Sequence, residues 1–151
     1  MASSDRIEKT VVLRAPVSRV WCALTDAQEF GQWFRVSLTG PFAVGATVRG
    51  NITYPGYEHL KMEVVVQRME PERLFSFRWH PAAVDPHTDY SAEETTLVEF
   101  RLEEVAGGTR LTVVESGFDR IPASRRDEAF RMNEGGWEEQ MKNVEQHVAR
   151  G

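Results

Sequence analysis

Two polar residues fall where the pattern of the chain asks for apolar ones. In "GTRLTVVES" Leu111 and Val113 share one phase of a strand, and Glu115 continues that phase inward at the strand end. In "FRMNEGGWEEQMKNVEQHV" the apolar stripe of a helix runs through Phe130, Trp137, Met141, Val144 and Val148, and Asn133 falls on the same face. Burying such a group costs about 1–3 kcal/mol unless it is paired. Each is therefore either satisfied by backbone or water, or supplies a small polar anchor for the head group of a ligand.

Other chemistry-bearing residues are less well placed. His80 lies out of phase with Phe77 and Trp79 and should face solvent or the strand end; His59 and His87 stand in no catalytic arrangement. "DPHTD" alternates Asp85, His87 and Asp89, but in a proline-containing loop, where three such residues more often make a solvated turn than a metal site. No metal site and no cofactor is expected. Cys22 stands beside Trp21 in a helix and reads as a buried small apolar residue rather than a nucleophile. No glycine pattern resembles a phosphate loop. Catalytic residues are accordingly not assigned.

The elements that must position these residues follow from periodicity. "RIEKTVVLRAP" alternates Ile7, Val11 and Leu13 against Glu8, Thr10 and Arg14, with Lys9 on the wrong phase. Pro16 fits the first turn of a helix, "VSRVWCAL", and Asp26 with Glu29 forms a capping-box-like start for a second, "AQEFGQWF". A run of strands follows: "GATVRGNITY", "HLKMEVVVQR", "RLFSFRWH", "TLVEFRLEEV" and "GTRLTVVES", the last two joined by the hairpin turn Ala106–Gly107–Gly108. Clean alternation marks an antiparallel sheet with one face buried. The long C-terminal helix, starting near "IPASRRDE" with Ser124 and Asp127 as a capping box, is the only element left to cover that face. Gly135 and Gly136 lie in its interior, at about 1 kcal/mol each relative to alanine. Their reading is a close approach or a bend against the sheet near Trp137, the alternative being an exposed pair tolerated at a cost.

The bulk properties bound the class. With 151 residues, no repeat and no low-complexity linker, residues 1–151 form a single domain. Hydrophobic residues at 41% and charged residues at 27% fit a soluble globular chain. A net charge of −5 argues against nucleic acid or an acidic membrane surface as the main partner. A lone cysteine excludes an internal disulfide. "MASSDRIEK" has no apolar core for a signal peptide and no run approaches a membrane span, so no membrane insertion and a cytoplasmic location are expected.

"APVSRVWCALTDAQEFGQWF" resembles the opening of START-like (SRPBCC, helix-grip) proteins, in which an alanine–proline pair leads into a helix with a Val–Trp and a second tryptophan follows, here Trp33. "GGTRLTVVESGF" resembles the last strand of that superfamily and "GGWEEQMKNVEQHV" its final helix. Within it the chain is most similar to homologues of the activator of the heat-shock-protein-90 ATPase, of the C-terminal-domain type. The resemblance implies an α+β helix-grip (Bet v-type) fold. In that fold a curved antiparallel sheet of about six or seven strands wraps around the long C-terminal helix, with two short helices after the first strand. It also implies a cavity between sheet and helix for an apolar ligand.

On that expectation the cavity lining comprises Trp33, Met62, Phe75, Phe77, Trp79 and Phe100, with Glu115, Asn133, Trp137 and Met141. The apolar members equally describe an ordinary packed core. The segment 81–93 is longer than a hairpin needs and suits a gate over one cavity end. The function expected is binding of a small hydrophobic molecule, driven by apolar burial and oriented by Glu115 and Asn133. A chaperone-activator-like interaction module and a cyclase- or hydrolase-like enzyme using Glu115 as acid or base are the alternatives; an enzyme is the less favoured. Edge strands and an acidic surface fit a monomer or a homodimer, and another protein is a possible partner.

Overall fold

The computed structural model describes residues 6–82 and 88–149. Strand β1 (Arg6–Leu13) leads into helices α1 (Val17–Thr25) and α2 (Ala27–Phe34). Six strands follow: β2 (Val36–Leu38), β3 (Thr47–Ile52), β4 (Lys61–Glu70), β5 (Leu74–Trp79), β6 (Thr96–Val105) and β7 (Gly108–Ser116). A single 3-10 turn (Phe118–Arg120) then feeds the long helix α3 (Ala123–Ala149). The seven strands make one antiparallel sheet in the order β1-β7-β6-β5-β4-β3-β2. This is the helix-grip α+β fold, two short helices after the first strand included.

Strand alternation sets the inner face. Met62, Val64 and Val66 of β4, Phe75 and Phe77 of β5, Val98 and Phe100 of β6, and Leu111 and Val113 of β7 are all buried. They meet Ala129, Trp137, Met141, Val144 and Val148 of α3. A fully buried phenylalanine or leucine is worth about 1.5–3 kcal/mol relative to exposure, so this layer supplies most of the cohesion. Between Val66 and Arg68 the β4–β5 register shifts, and Gln67 and Arg68 are both exposed. That bulge adds a bend to β4, which a sheet needs if it is to wrap a helix.

The short helices use local chemistry. Asp26 accepts from the backbone N–H groups of Gln28 (2.9 Å) and Glu29 (3.1 Å), so the cap of α2 is as expected. The carboxylate of Glu29 instead leaves the box: it takes Arg19 Nη1 at 2.6 Å and His147 Nε2 at 2.9 Å, tying α1, α2 and the end of α3 together. Pro16 stands one position before the helix, as the N-cap of α1. The residue after α2, Arg35, takes the left-handed conformation (φ 68°), and its N–H returns to Gly31 O. Gly31 allows that turn, since a Cβ there would sit 2.3 Å from Val36 O.

Four points of the sequence reading are corrected. The β2 strand was missed because three residues are too short to show a period, and it pairs only with β3. Cys22 is exposed rather than buried: the core side of α1 is Val20, Ala23 and Leu24, which turns position 22 outward. The glycine pair does not approach the sheet. Both glycines are exposed within an uninterrupted α3, and a Cβ on either would meet nothing within 4 Å. Trp137 alone faces inward there. Ser124, finally, is the second residue of α3 and makes no capping bond among the described residues.

Candidate functional site

The centre of the grip is Glu115, which has 0% exposure. Sheet register places it. Glu115 pairs with Val98 and Ile7, and Trp79 pairs with Thr96, so Thr96 lies two residues along the inner face from Val98. From above, Asn133 and Trp137 are four residues apart on α3 and point to the same spot. Four donors meet the carboxylate. Trp79 Nε1–H donates to Oε2 at 2.7 Å and the Thr96 hydroxyl at 2.5 Å. Asn133 Nδ2–H donates to Oε1 at 2.9 Å and Trp137 Nε1–H at 2.8 Å. Each oxygen therefore accepts two hydrogen bonds, and the group's desolvation is offset from two neighbouring strands, β5 and β6, and the helix at once.

Stacked rings surround this node. Trp79 and Trp137 stack with centroids 5.7 Å apart at 29°, Phe34 approaches both, and Phe100 meets Trp137 edge-on at 5.7 Å. Phe75, Phe77 and Phe100 are fully buried against one another. Trp33 is buried on the other side of Phe100 and gives its N–H to Ala23 O at 2.8 Å, so its indole belongs to the α1–α2 packing.

An open cleft of about 260 Å³ adjoins the node. Phe34, Ile52, Leu60, Met62, Trp79 and Met132 give it apolar walls, and Lys61, Glu63, His80 and Asn133 add polar and charged edges. Of the ten residues expected to line a cavity, Met62, Trp79 and Asn133 border this cleft. Glu115 and Trp137 sit directly beneath them in the hydrogen-bond node; Phe75, Phe77, Phe100 and Met141 pack in the layer between sheet and helix; and Trp33 stands apart. Sequence reasoning missed Thr96, Phe34 and Met132. Thr96 shares the inward phase of Val98 and Phe100 and could have been read from it; Phe34 follows the end of an amphipathic pattern, and nothing marked Met132.

The segment expected to gate the cavity is held at both flanks. Arg125, at the start of α3, donates to Pro81 O (3.0 Å), pairs with Glu93 (2.7 Å) and lies over the Tyr90 ring at 4.7 Å. His80 Nε2–H donates to Glu93 O at 3.0 Å. Asp85 and His87 of the alternating motif lie outside the described residues; among those described, no cluster of metal-ligating side chains forms.

The comparisons with known proteins bear on this geometry. Residues 14–149 match the family model of the Activator of Hsp90 ATPase homolog 1-like proteins. The chain belongs to that family. No curated protein matches it. Among solved structures, DynU16 of the dynemicin biosynthetic locus is 27% identical with a TM-score of 0.73; the match covers 96% of this chain and 47% of DynU16. Protein MLL2253 from Mesorhizobium loti is 24% identical with a TM-score of 0.76, covering 96% of this chain and 97% of that one. The Aha1 dimer from Colwellia psychrerythraea, 15% identical over 95% of each chain with a TM-score of 0.71, shares the fold. Among the described residues no helix is long and apolar enough to cross a membrane.

Proposed function

We propose that the protein binds a small hydrophobic molecule bearing one hydrogen-bonding group, in the cleft between the end of α2, strands β3–β5 and the middle of α3. The observation that carries this reading is the junction of the cleft with the Glu115 node. Trp79 and Asn133 are wall residues on one side and hydrogen-bond donors to Glu115 on the other. A buried polar network that fixes two wall side chains pre-organises a site, and pre-organisation reduces what binding must spend on ordering. Asn133 uses its Nδ2 on Glu115, and its Oδ1 has no partner among the described residues, so it can accept from a ligand hydroxyl or amide. At about 260 Å³ the cleft suits a molecule smaller than a typical drug.

Glu115 then acts as a positioning residue. Its two oxygens are occupied and it has no exposed surface, so a substrate would have to displace a donor before using it as acid or base. The family includes binding and interaction proteins, and the node favours the binding reading. Native mass spectrometry of protein purified from its own host tests it. A small non-covalent adduct is expected with the natural sequence and absent from Met132→Glu, which charges the exposed rim (Met132 is 46% exposed). Adduct retained in that variant, or no adduct in either, contradicts the proposal.

A further inference from the structure

On the opposite side of α2 a second recess, about 430 Å³, opens between α1, α2 and the last turns of α3. Its walls are polar: Arg19, Gln32, Arg35, Asn143, Gln146 and His147, with the edge of Trp33 below. No carboxylate is among them. The nearest acid, Glu29, is turned to Arg19 and His147, and burial, which acts to raise it, is outweighed by these two bonds so that it sits below the ordinary carboxylate range. Glu29 offsets the charge of Arg19, so in a chain of net charge −5 the recess keeps a small positive excess, carried by Arg35, among hydrogen-bonding groups.

Arg35 is the informative residue. It occupies the left-handed position that closes α2, where glycine carries no Cβ penalty, so the backbone is strained to keep an arginine there. Its guanidinium lies 5.7 Å from the Tyr54 ring centroid and makes no hydrogen bond or ion pair among the described residues. Gln32 and Gln146 likewise have no side-chain partner among those residues, so donors and acceptors are free around the recess. A strained, unneutralised arginine that shares the recess with the Glu29-paired Arg19 and with amide side chains matches a planar or tetrahedral oxyanion with a polar body.

We propose that this recess is a second binding site, for a small polar molecule carrying a carboxylate or phosphate group, with Arg35 and the free nitrogens of Arg19 holding the oxyanion and Gln32, Asn143 and Gln146 reading the rest. The volume is several times what a bare oxyanion fills, so the amides imply an organic body. The site is independent of the hydrophobic cleft and needs no occupant there.

The test uses the intact chain in solution. Amide and side-chain NMR spectra are followed while inorganic phosphate, citrate or, at matched ionic strength, sodium chloride is added. The proposal predicts saturable shifts confined to the Arg35 Nε–H, the Gln32, Asn143 and Gln146 side-chain amides and the His147 ring, with citrate or phosphate and not with chloride. Arg35→Gln, an exposed substitution that keeps a Cβ at the left-handed position, should weaken binding about tenfold, a loss of one charge-assisted bond, while leaving the melting temperature nearly unchanged. Gln146→Glu should weaken it by a similar factor. Shifts equal in chloride, affinity unchanged in both variants, or no saturable response to either oxyanion would overturn the assignment.

Discussion

At the scale of single residues, the account turns on Glu115 and Glu29, two carboxylates with different work. Glu115→Gln replaces one acceptor oxygen by an NH2 group and leaves two buried donors facing another donor, so stability should fall by about 2–5 kcal/mol. Thr96→Val removes a single donor of similar shape and should cost less, about 1–3 kcal/mol. Denaturant melts that place the two variants level would remove the node from the centre of the account. Glu29 gives a pH signature. Its folded value lies below the ordinary 4.5, so the unfolded chain takes up the proton first as pH drops. The contribution of its bonds to His147 and Arg19 is whole above pH 4.5 and is lost as pH falls through the lower folded value. Glu29→Gln should therefore be less stable than the natural protein at pH 7, with the gap closing in acid; a gap that widens below pH 4.5 contradicts this. Both inward polar positions, Glu115 and Asn133, were legible as exceptions to a hydrophobic period. That they bond to each other, and to two indole N–H groups counted only as apolar surface, was not, because periodicity gives a face and not a direction.

At the scale of elements, three glycines separate close approach from mere tolerance. Gly31 lies under Val36 O, and Gly31→Ala should destabilise because backbone, not a flexible side chain, must give way. Gly135 and Gly136 have open space on an exposed helix face, so Gly135→Ala and Gly136→Ala should each stabilise by about 0.5–1 kcal/mol. Thermal or denaturant unfolding of the three variants reads opposite signs; a loss at Gly136 would restore the bend that the sequence suggested. Strand periods and the stripe of α3 were visible in the chain, since Met62, Val64 and Val66 alternate and Trp137, Met141, Val144 and Val148 recur at helical spacing. Whether a glycine in a helix faces a neighbour was invisible, because it has no side chain to join a pattern. The bulge at Gln67 was equally hidden, as one extra residue in a strand shows only against its partner.

At the scale of the molecule, a sheet bent at β4 holds α3 over a node of hydrogen bonds. The flanks of the 81–93 segment are tied to the start of α3 by Arg125, and the end of α3 is tied to α1 and α2 by Glu29. The aromatic layer between sheet and helix is close-packed, and the hydrophobic cleft lies at its side, next to Trp79 and Asn133. The resemblance in the sequence foretold the grip; the position of open space depended on ring directions among Phe34, Trp79 and Trp137, which only coordinates give. Ligand binding at this cleft is the central claim, and p-cresol, apolar with one hydroxyl, is a suitable probe. Its titration should be followed on the four indole N–H resonances and the Asn133 side-chain amide. The account predicts saturable shifts at Trp79 and Asn133, little change at Trp21, and loss of the response in Met132→Glu; shifts absent from Trp79 and Asn133, or undiminished in that variant, would contradict it.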